Sequence, residues 1–348
     1  MFERMRPGYY VLIALAIFEF SLAFVLGKSD LANYLNTSGL KTMLVPMGAL
    51  FPLLWVGGLT FAVTRRQVSR PTAAMRRMIY RDRRWLARGT FFALMILLLA
   101  RSFSSYKGAI PEISPYWADP WLASVDHAIF GTDPWHLTHA VIGPLGTMII
   151  DRVYALWFIV MMLCMGWFCF TRNAALQLRG LLSYLVCWAL LGNIVATWLS
   201  SVGPVFYQRF FDDDRFVPLI DLLHRTDGEH RLMALGAMRY LTSMIGQDRM
   251  GGGISAMPSL HVSIAFLVFL ASCTYANSRL LKIATGLFAA TIMVGSVHLG
   301  WHYAVDGIVG IVAVSLIWWG TGRFVDWLDA RDRAASLSAP FTALPATI

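Results

Sequence analysis

The hydrophobic pattern of this chain consists of long apolar runs separated by short polar stretches. Most runs reach about 20 residues, the length that an α-helix needs to cross a hydrocarbon core of about 30 Å. None shows the alternation over about ten residues that is typical of a membrane β-barrel. The pattern predicts eight membrane-spanning helices, at about residues 9–27, 43–64, 89–104, 152–171, 180–201, 260–276, 280–299 and 303–322.

The composition agrees with this pattern. The chain has 348 residues, of which 57% are hydrophobic and 14% are charged, whereas a soluble domain carries about a quarter charged residues. We therefore expect an all-α, polytopic helical membrane protein. Arg4 and Arg6 before the first run resemble a signal peptide, but the run is long for one, so we expect an uncleaved span. The four cysteines lie in apolar runs and match no zinc-binding spacing.

Positive charge is concentrated in one polar stretch. Residues 65–88 contain nine arginines and one acidic residue, a net charge of +8 against +9 for the whole chain. A cytoplasmic loop that follows the positive-inside rule explains this stretch, and nucleic-acid binding is not indicated. A specific site for anionic lipids in the same loop remains an alternative.

The arginines also orient the predicted helices. With both termini inside, residues 65–88, Arg172 and Arg179 fall on the cytoplasmic side. Residues 104–151 carry one lysine and no arginine and fall outside. This distribution predicts a multi-pass protein whose termini are cytoplasmic.

The outer segment before the fourth span contains features of a membrane interface. The apolar stretch 138–150 is too short to span and is expected to be interfacial or re-entrant. Its surroundings carry tryptophans and histidines that we assign to the interface, namely His127, His136 and His139. Asp151, Arg152 and Tyr154 fit either a headgroup-binding site or an interfacial anchor.

Three ionisable residues lie at the outer ends of two predicted spans. His261 begins the sixth span, and His302 and Asp306 begin the eighth. An ionisable residue at membrane depth indicates a functional site. His302 and Asp306 are four positions apart, so we expect them on one helix face, with the carboxylate orienting the imidazole as a base or nucleophile. His261 is then a candidate general acid.

The residues before His261 predict a binding site for an anion. Pro258 fits the first turn of a helix, and Ser259 offers a hydroxyl to a substrate oxygen. The N-terminus of that helix has free N–H groups and the positive end of the dipole, which suit a phosphate. The glycines at 251–253 are either a hinge or a flexible connection.

Two alternatives compete with this interpretation. His298, His302 and Asp306 are spaced like a metal-binding face, but we expect no metal or other cofactor and expect His298 to pack beside the site. A lipid transporter is the alternative from another class of protein. Transporters place ionisable groups near the membrane midplane, and here these groups lie near the outer end.

At these residues the chain resembles the PAP2 superfamily, the type 2 phosphatidic acid phosphatases. "PSLH" resembles the family motif Pro-Ser-Gly-His, and "HYAVD" resembles the His-x3-Asp of its third motif. The resemblance covers about residues 90–322 and implies a six-helix core preceded by two extra helices. It implies that His302 is the nucleophile and forms a phosphohistidine. It also implies that His261 protonates the leaving group and that Asp306 supports His302, without a metal.

The departures from the family motifs point to one branch. Leu260 stands where the phosphatases have glycine, and Gly295 and Ser296 stand where the third motif has Ser-Arg. Together with the stretch "SVDHAIFGTDPW", these departures resemble the inositolphosphotransferase branch, which includes inositol phosphorylceramide synthase. The family's Lys-x6-Arg-Pro motif is missing. By position, Arg209 and then Arg215 are the candidate substrate-binding cations, although Arg209 fits equally well a surface pair with Asp212 to Asp214.

These observations predict three regions. Residues 1–88 hold two helices and the arginine-rich loop, residues 89–322 the catalytic membrane domain, and residues 323–348 a cytoplasmic tail. We expect an enzyme that transfers a phosphoryl-linked group from a phospholipid or lipid phosphate to an alcohol at the extracytoplasmic face. Water as the acceptor would make it a lipid phosphate phosphatase. The expected partners are the lipid substrate and the bilayer, with no nucleic acid.

Overall fold

A computed structural model describes residues 7–26, 70–245 and 253–338, with the short stretches 56–58, 60–61 and 64–65. Several positions discussed above lie outside these residues: Arg4, Arg6, most of the predicted second span at 43–64, Gly251, Gly252 and residues 339–348.

The described residues form helices and no strand, which confirms the all-α polytopic class. Six of the described helices are long and apolar enough to span a membrane, and a seventh apolar helix is shorter. These seven are α1 (Pro7–Leu26), α2 (Pro71–Ile113), α5 (Pro144–Phe170), α6 (Ala174–Trp198), α10 (Leu260–Tyr275), α11 (Arg279–His298) and α12 (Ala304–Ser338). The shorter helices between them are α3 (Asp119–Phe130), α4 (Pro134–Val141), α7 (Tyr207–Phe211), α8 (Val217–His230) and α9 (Met233–Met244).

Seven of the eight predicted spans coincide with these helices, but some helices are longer than predicted. Helix α5 already begins at Pro144, so most of the stretch expected to be interfacial joins this helix. Helix α2 has 43 residues and is about 65 Å long at 1.5 Å per residue. Hydropathy detects only the apolar part of such a helix. The proposed region boundaries after residues 88 and 322 therefore fall inside α2 and α12.

Helix α10 lies in the middle of the bundle, against α5, α6, α11 and α12. Its apolar residues point in all directions, which is typical of a buried helix. Glycines on α12 allow α10 to approach closely. A Cβ at Gly310 would lie 2.6 Å from Ser263 Oγ, and one at Gly307 would lie 2.2 Å from Met293 Sδ of α11. Small residues at such contacts let membrane helices pack tightly.

Helix α1 runs parallel to α2 along the outside of this core. Near its start, Tyr9 stacks on Phe92 with ring centroids 5.3 Å apart. The Tyr9 hydroxyl also donates a 2.7 Å hydrogen bond to Gln177 on α6. Near its end, Leu22 packs against the cluster of Tyr106, Ile110 and Ala196. Helix α1 therefore packs along the apolar part of α2.

Helix α6 changes its winding before it leaves the bundle. Residues Cys187–Val195 form π-helical turns, which often occur near functional sites. At Gly192 in this segment, an added Cβ would lie 2.6 Å from the ring of Phe103 and 3.0 Å from Leu260. The π-helical segment thus contacts the start of α10, immediately before His261.

Arginines gather at the end of the bundle opposite the start of α10. Arg172 follows α5 and donates a 3.0 Å hydrogen bond to Asp82 of α2. Its guanidinium also lies over the ring of Trp85, 4.6 Å from the centroid. Arg179 donates to Trp318 O at 2.8 Å. These cations anchor the end where α2 and α12 extend beyond their apolar parts.

Candidate active site

The candidate site is built around the short turn that joins α11 to α12. Helix α11 ends because Gly300 adopts a left-handed conformation, with φ 74°. Its N–H donates to Val297 O at 3.0 Å, and the N–H of Trp301 donates to Ser296 O at 2.9 Å. These two bonds form a Schellman motif, which satisfies the last carbonyls of a helix. His302 N also donates to Ser296 O at 3.0 Å, so the backbone of His302 is fixed to the end of α11.

Two carboxylates satisfy the free N–H groups at the start of α12. Asp306, in the first turn, accepts from Tyr303 N at 3.1 Å, as the acidic residue of a capping box does. Asp126 on α3 accepts from Ala304 N at 2.6 Å and from Val305 N at 2.9 Å. Unpaired N–H groups at a buried helix end would be costly. Asp126 therefore holds the start of α12 from a different helix.

A third carboxylate, Asp119, fixes the loop below this turn. Its oxygens accept from Val202 N at 2.9 Å and Gly203 N at 2.8 Å, and also from the Tyr303 hydroxyl at 2.9 Å. Gly203 has φ 83°, and a Cβ there would lie 2.5 Å from Trp301 O. Only glycine fits such a contact without strain. The loop after α6 thus supports the turn that carries His302.

His302 is held in one tautomer. Its Nδ1 lies 2.8 Å from Ala256 O and 3.5 Å from Asp306 Oδ2. A carbonyl oxygen only accepts hydrogen bonds, so Nδ1 carries the proton and Nε2 keeps its lone pair. Within the described part of the chain, Nε2 has no hydrogen-bond partner. Nε2 is therefore the ring nitrogen with a free lone pair.

The sequence predicts that His302 and Asp306 share one helix face, and in the structure they do not. His302 lies in the turn, two residues before α12 begins at Ala304. Gly300 ends the preceding helix, so the two side chains meet across a turn rather than along a helix. The two side chains nevertheless lie 3.5 Å apart, and Asp306 is fully buried.

His261 lies opposite His302 at the start of α10. The two ring centroids are 5.9 Å apart. Two aromatic residues of α5 hold the His261 ring, Tyr154 at 5.0 Å and Trp157 at 4.2 Å between centroids. The Trp157 indole N–H also donates to His261 O at 2.8 Å. The structure thus brings the two predicted catalytic histidines together.

Ser259 is buried beside them and caps α10. Its hydroxyl oxygen accepts from Val262 N at 3.3 Å, and its own N–H donates to Asp306 O at 3.2 Å. The helix begins at Leu260, so Pro258 precedes the cap instead of occupying the first turn. This cap links the two motif segments. A substrate contact of the Ser259 hydroxyl stays a prediction.

The two predicted cations lie elsewhere. Arg215 is paired with Asp133, at 3.0 Å through Nε and 2.5 Å through Nη2, and Nη2 also donates to Ala123 O at 3.0 Å. The hydrogen bonds to Asp133 are the main reason that the pKa of Arg215 is raised. Arg209 is exposed on α7 and forms no ion pair with Asp212, Asp213 or Asp214, all of which are described. Neither arginine contacts the histidine pair directly.

Two cavities lie on this side of the site, separated by Pro204 and Phe216. The smaller has a volume of about 10 Å³ and is lined by Asp126, His302 and Tyr303 among others. The larger groove has a volume of about 280 Å³, and Arg209 lies on it. Arg215 reaches the smaller cavity only through its partner Asp133, which lines it.

Burial perturbs the carboxylates that position the turn. It raises the pKa of Asp126 to about 6, against the partial opposition of the N–H groups of Ala304 and Val305. It likewise raises the pKa of Asp119 to about 6. Both groups lie in α3, outside the spanning helices. They are ionised at neutral pH but become protonated under mildly acidic conditions.

The possible metal face is not formed. His298 ends α11, and its two ring nitrogens lie 3.0 Å from Thr138 Oγ1 and 2.8 Å from Thr147 Oγ1. Its ring stacks on His139, with centroids 3.6 Å apart. A search of the described ranges finds no group of three residues suited to a metal. His298 instead packs beside the site, as expected.

Asp151 and Arg152, two of the other candidates for a headgroup site, form hydrogen bonds with backbone groups. Asp151 accepts from Met233 N at 2.7 Å and Ala234 N at 2.8 Å and so caps α9. Arg152 donates to Arg231 O at 2.7 Å. Of this group, only Tyr154 contacts a predicted catalytic residue, His261.

Sequence reasoning missed several residues that shape the site. Ala256 contributes only a backbone oxygen, which no side-chain pattern reveals. Asp126 belongs to the stretch "SVDHAIFGTDPW" and Asp119 lies just before it, so the family resemblance of this stretch is the only sequence signal near them. Lys107, near the C-terminal end of α2, interacts electrostatically with His261. It is the one lysine of residues 104–151.

Comparison with known proteins agrees with this site. A family model described as the PAP2 superfamily matches residues 120–320, more than half of the chain, and this range includes His261, His302 and Asp306. The chain therefore belongs to the PAP2 superfamily. This membership indicates a membrane-embedded enzyme of the phosphatase or phosphotransferase type that acts on lipid phosphates. Searches of curated proteins and of solved structures give no significant match.

Proposed function

We propose that this protein is a PAP2-type phosphotransferase that works through a phosphohistidine at His302. The observation that carries the proposal is the single tautomer of His302, which has Nδ1–H directed at Ala256 O and Nε2 left with its lone pair. Asp306, buried 3.5 Å from Nδ1, supports the positive charge that the ring acquires when Nε2 bonds to phosphorus.

The reaction then has two steps. In the first step, Nε2 of His302 attacks the phosphorus of the lipid phosphoester, and the bond to the leaving oxygen breaks. Protonated His261 gives its proton to that oxygen. In the second step, an acceptor hydroxyl attacks the phosphohistidine and loses its proton to His261. The N–P bond breaks, and His302 returns to its starting state.

An alcohol is the acceptor that the motif spelling favours. Leu260 replaces the glycine of the phosphatase motif, and the sequence "HYAVD" follows the inositolphosphotransferase pattern. Leu260 also contacts the π-helical segment at Gly192, so the replacement is part of the packing beside His261. We therefore assign the chain to the inositolphosphotransferase-like branch.

Hydrolysis is the second candidate. The cavity of about 10 Å³ beside His302, Tyr303 and Asp126 is about the size that holds one water molecule. A water placed there would lie next to the nucleophile, and its attack on the phosphohistidine would make the protein a lipid phosphate phosphatase.

We further propose that the site faces the extracytoplasmic side. The arginine-rich ends of α2, α5 and α12 lie at the opposite end of the bundle from the turn that carries His302. The positive-inside rule makes that opposite end cytoplasmic. The lipid phosphate would then enter from the outer leaflet, where α3 and α4 expose Trp121 and Leu137.

A labelling experiment tests the mechanism. Protein purified in detergent would be incubated briefly with phosphatidic acid labelled on phosphorus, then quenched in alkali. We expect an alkali-stable, acid-labile label that His302→Ala abolishes. His224→Ala, a change of an exposed histidine on α8, should keep it. Label that persists in His302→Ala would refute the phosphohistidine.

The same protein distinguishes the acceptors. With phosphatidylinositol as donor and a ceramide or diacylglycerol as acceptor, a transferase yields a new phospholipid, whereas a phosphatase releases inorganic phosphate from phosphatidic acid at the same rate with or without an alcohol. Lipid movement across vesicles that His302→Ala leaves unchanged, with no turnover of any donor, would favour the transporter alternative.

A further inference from the structure

The described residues around His302 and Tyr303 supply carboxylates but no cation for the phosphate. His302 and Tyr303 are surrounded by the carboxylates of Asp119, Asp126 and Asp306, all buried. A phosphoryl group carries negative charge and is normally held by charged hydrogen-bond donors. Arg215 is neutralised by Asp133, and Arg209 lies on the separate groove. The positive charge must therefore come from another element.

Lys107 of α2 is a cation whose charge acts on His261. It is half-buried near the C-terminal end of that helix. Within the described residues, no carboxylate or other acceptor lies within hydrogen-bond distance of its ammonium group. It also lies outside the range that the family model matches, on a helix that carries none of the three family motifs.

The contact between α2 and the segment before α10 fixes where Lys107 lies. A Cβ at Gly253 would be 2.6 Å from the carbonyl carbon of Lys107 and 2.8 Å from its Cγ. Glycine at 253 therefore lets the chain pass directly over Lys107. Three residues later the same segment supplies Ala256 O, the hydrogen-bond partner of His302. One short segment thus connects Lys107 to both histidines.

We propose that Lys107 binds the phosphoryl oxygens of the lipid phosphate between itself and the histidine pair. An ammonium at membrane depth is costly, and ionisable groups kept there usually serve a ligand or a transport path. The positive charges of Lys107 and protonated His261 repel each other in the free enzyme. A phosphate placed between them removes that repulsion, so substrate binding would prepare His261 to act as the acid.

The proposal rests on the proposed function, and its test separates the two. The change is Lys107→Met, with Lys107→Gln as a polar alternative and Lys107→Arg as the charge-conserving variant. Lys282→Met is the matched control, because Lys282 is also half-buried, at the opposite end of the bundle. Each variant would be assayed in detergent with labelled phosphatidic acid and with inorganic orthophosphate and orthovanadate as inhibitors.

The loss of one charged hydrogen bond corresponds to about a tenfold to hundredfold change in affinity. We expect Lys107→Met and Lys107→Gln to raise the inhibition constants for both anions by that factor and to lower kcat/KM at least as much. Lys107→Arg should restore most of the anion binding, and Lys282→Met should change neither quantity. A merely structural lysine would alter the melting temperature without this selective loss of anion binding.

The outcomes separate the role of Lys107 from the mechanism at His302. Unchanged inhibition constants in Lys107→Met, with normal melting, would overturn the proposal, as would equal losses in Lys107→Arg and Lys107→Met. If His302→Ala abolishes turnover while Lys107→Met does not affect it, only the role of Lys107 fails. If His302→Ala retains turnover, the proposed mechanism fails whatever Lys107 does.

Discussion

Replacing Asp126 by asparagine removes the buried charge that holds the start of α12. The carboxylate accepts one N–H on each oxygen, from Ala304 and Val305. Asparagine has one acceptor oxygen and an NH2 group that cannot accept. One N–H of α12 would therefore lose its partner, two residues beyond His302. The side-chain volume hardly changes, so the substitution isolates the charge and the second acceptor.

Two opposing terms decide how much stability this substitution changes at neutral pH. Loss of a charged hydrogen bond costs about 1.5–3 kcal/mol. Burial raises the pKa of Asp126 from 3.8 to about 6, so the ionised form is disfavoured by about 3 kcal/mol at roughly 1.4 kcal/mol per unit of pKa. Asparagine carries no charge and avoids this cost. Because this pKa already includes the opposing effect of the Ala304 and Val305 N–H groups, the relief outweighs the lost hydrogen bond, and we expect Asp126→Asn to melt above the wild type at pH 7.

The balance changes at low pH. Between about pH 4 and 6 the folded chain still binds a proton on Asp126 that the unfolded chain has released. The raised pKa therefore stabilises the fold below pH 4, and this contribution is lost as the pH rises through 6. At pH 4 the carboxyl of Asp126 is protonated in the folded chain and resembles the amide, with one acceptor oxygen and a donor, so the wild type and Asp126→Asn should have similar stability there.

The assay compares melting temperatures in detergent from pH 4 to pH 8 and turnover at pH 7. The matched control is Asp221→Asn, an exposed aspartate on α8. Turnover of Asp126→Asn should fall about tenfold to hundredfold, because displacing His302 by a fraction of an ångström impairs the attack. A melting difference that stays the same from pH 4 to pH 7, or full turnover in the variant, would refute the reasoning.

Two further substitutions test other parts of the site. Gly203→Ala places a Cβ 2.5 Å from Trp301 O at a positive φ and should cost more than about 2 kcal/mol. Gly228→Ala on α8, where a Cβ meets nothing within 4 Å, should be neutral or slightly stabilising, and equal melting of the two variants would contradict the close contact. His298→Leu removes one hydrogen-bond partner from each of the Thr138 and Thr147 hydroxyls, which keep only backbone carbonyls as partners, and should lower the free energy of unfolding by about 1–3 kcal/mol. It should nevertheless keep the label on His302, and loss of label at an unchanged melting temperature would show that His298 acts in the chemistry.

The sequence predicts most of the spanning helices because the membrane imposes a strong and local signal. Runs of apolar residues locate α1, α5, α6, α10, α11 and α12, and the break before residue 303 matches the turn at Gly300. Hydropathy says nothing about the polar ends of α2 and α12, because a helix outside the bilayer needs no apolar run. The lengths of those helices therefore depend on the structure.

Some residues of the candidate site could likewise be predicted from the sequence, and others could not. His261, His302 and Asp306 could be predicted because ionisable residues are rare at the ends of apolar runs and because their motifs are short and specific. Asp119 and Lys107 could not, since their relevance depends on contacts with residues far along the chain. Arg215 illustrates the limit of position alone: it lies near the site, but Asp133 neutralises it, and no sequence pattern showed that pairing.

The turn that Gly300 creates also defines what can vary in this site. His302 lies in the turn after α11 and Asp306 lies in the first turn of α12, so the interval of four positions includes part of a loop and is not a helical period. Adding or deleting one residue between Gly300 and Ala304 would rotate the whole of α12 by about 100° relative to His302. A search for the same arrangement of histidine and aspartate in unrelated chains should therefore look for a helix-ending glycine two positions before the histidine. The length of this turn is expected to stay constant where the other side chains of α12 vary.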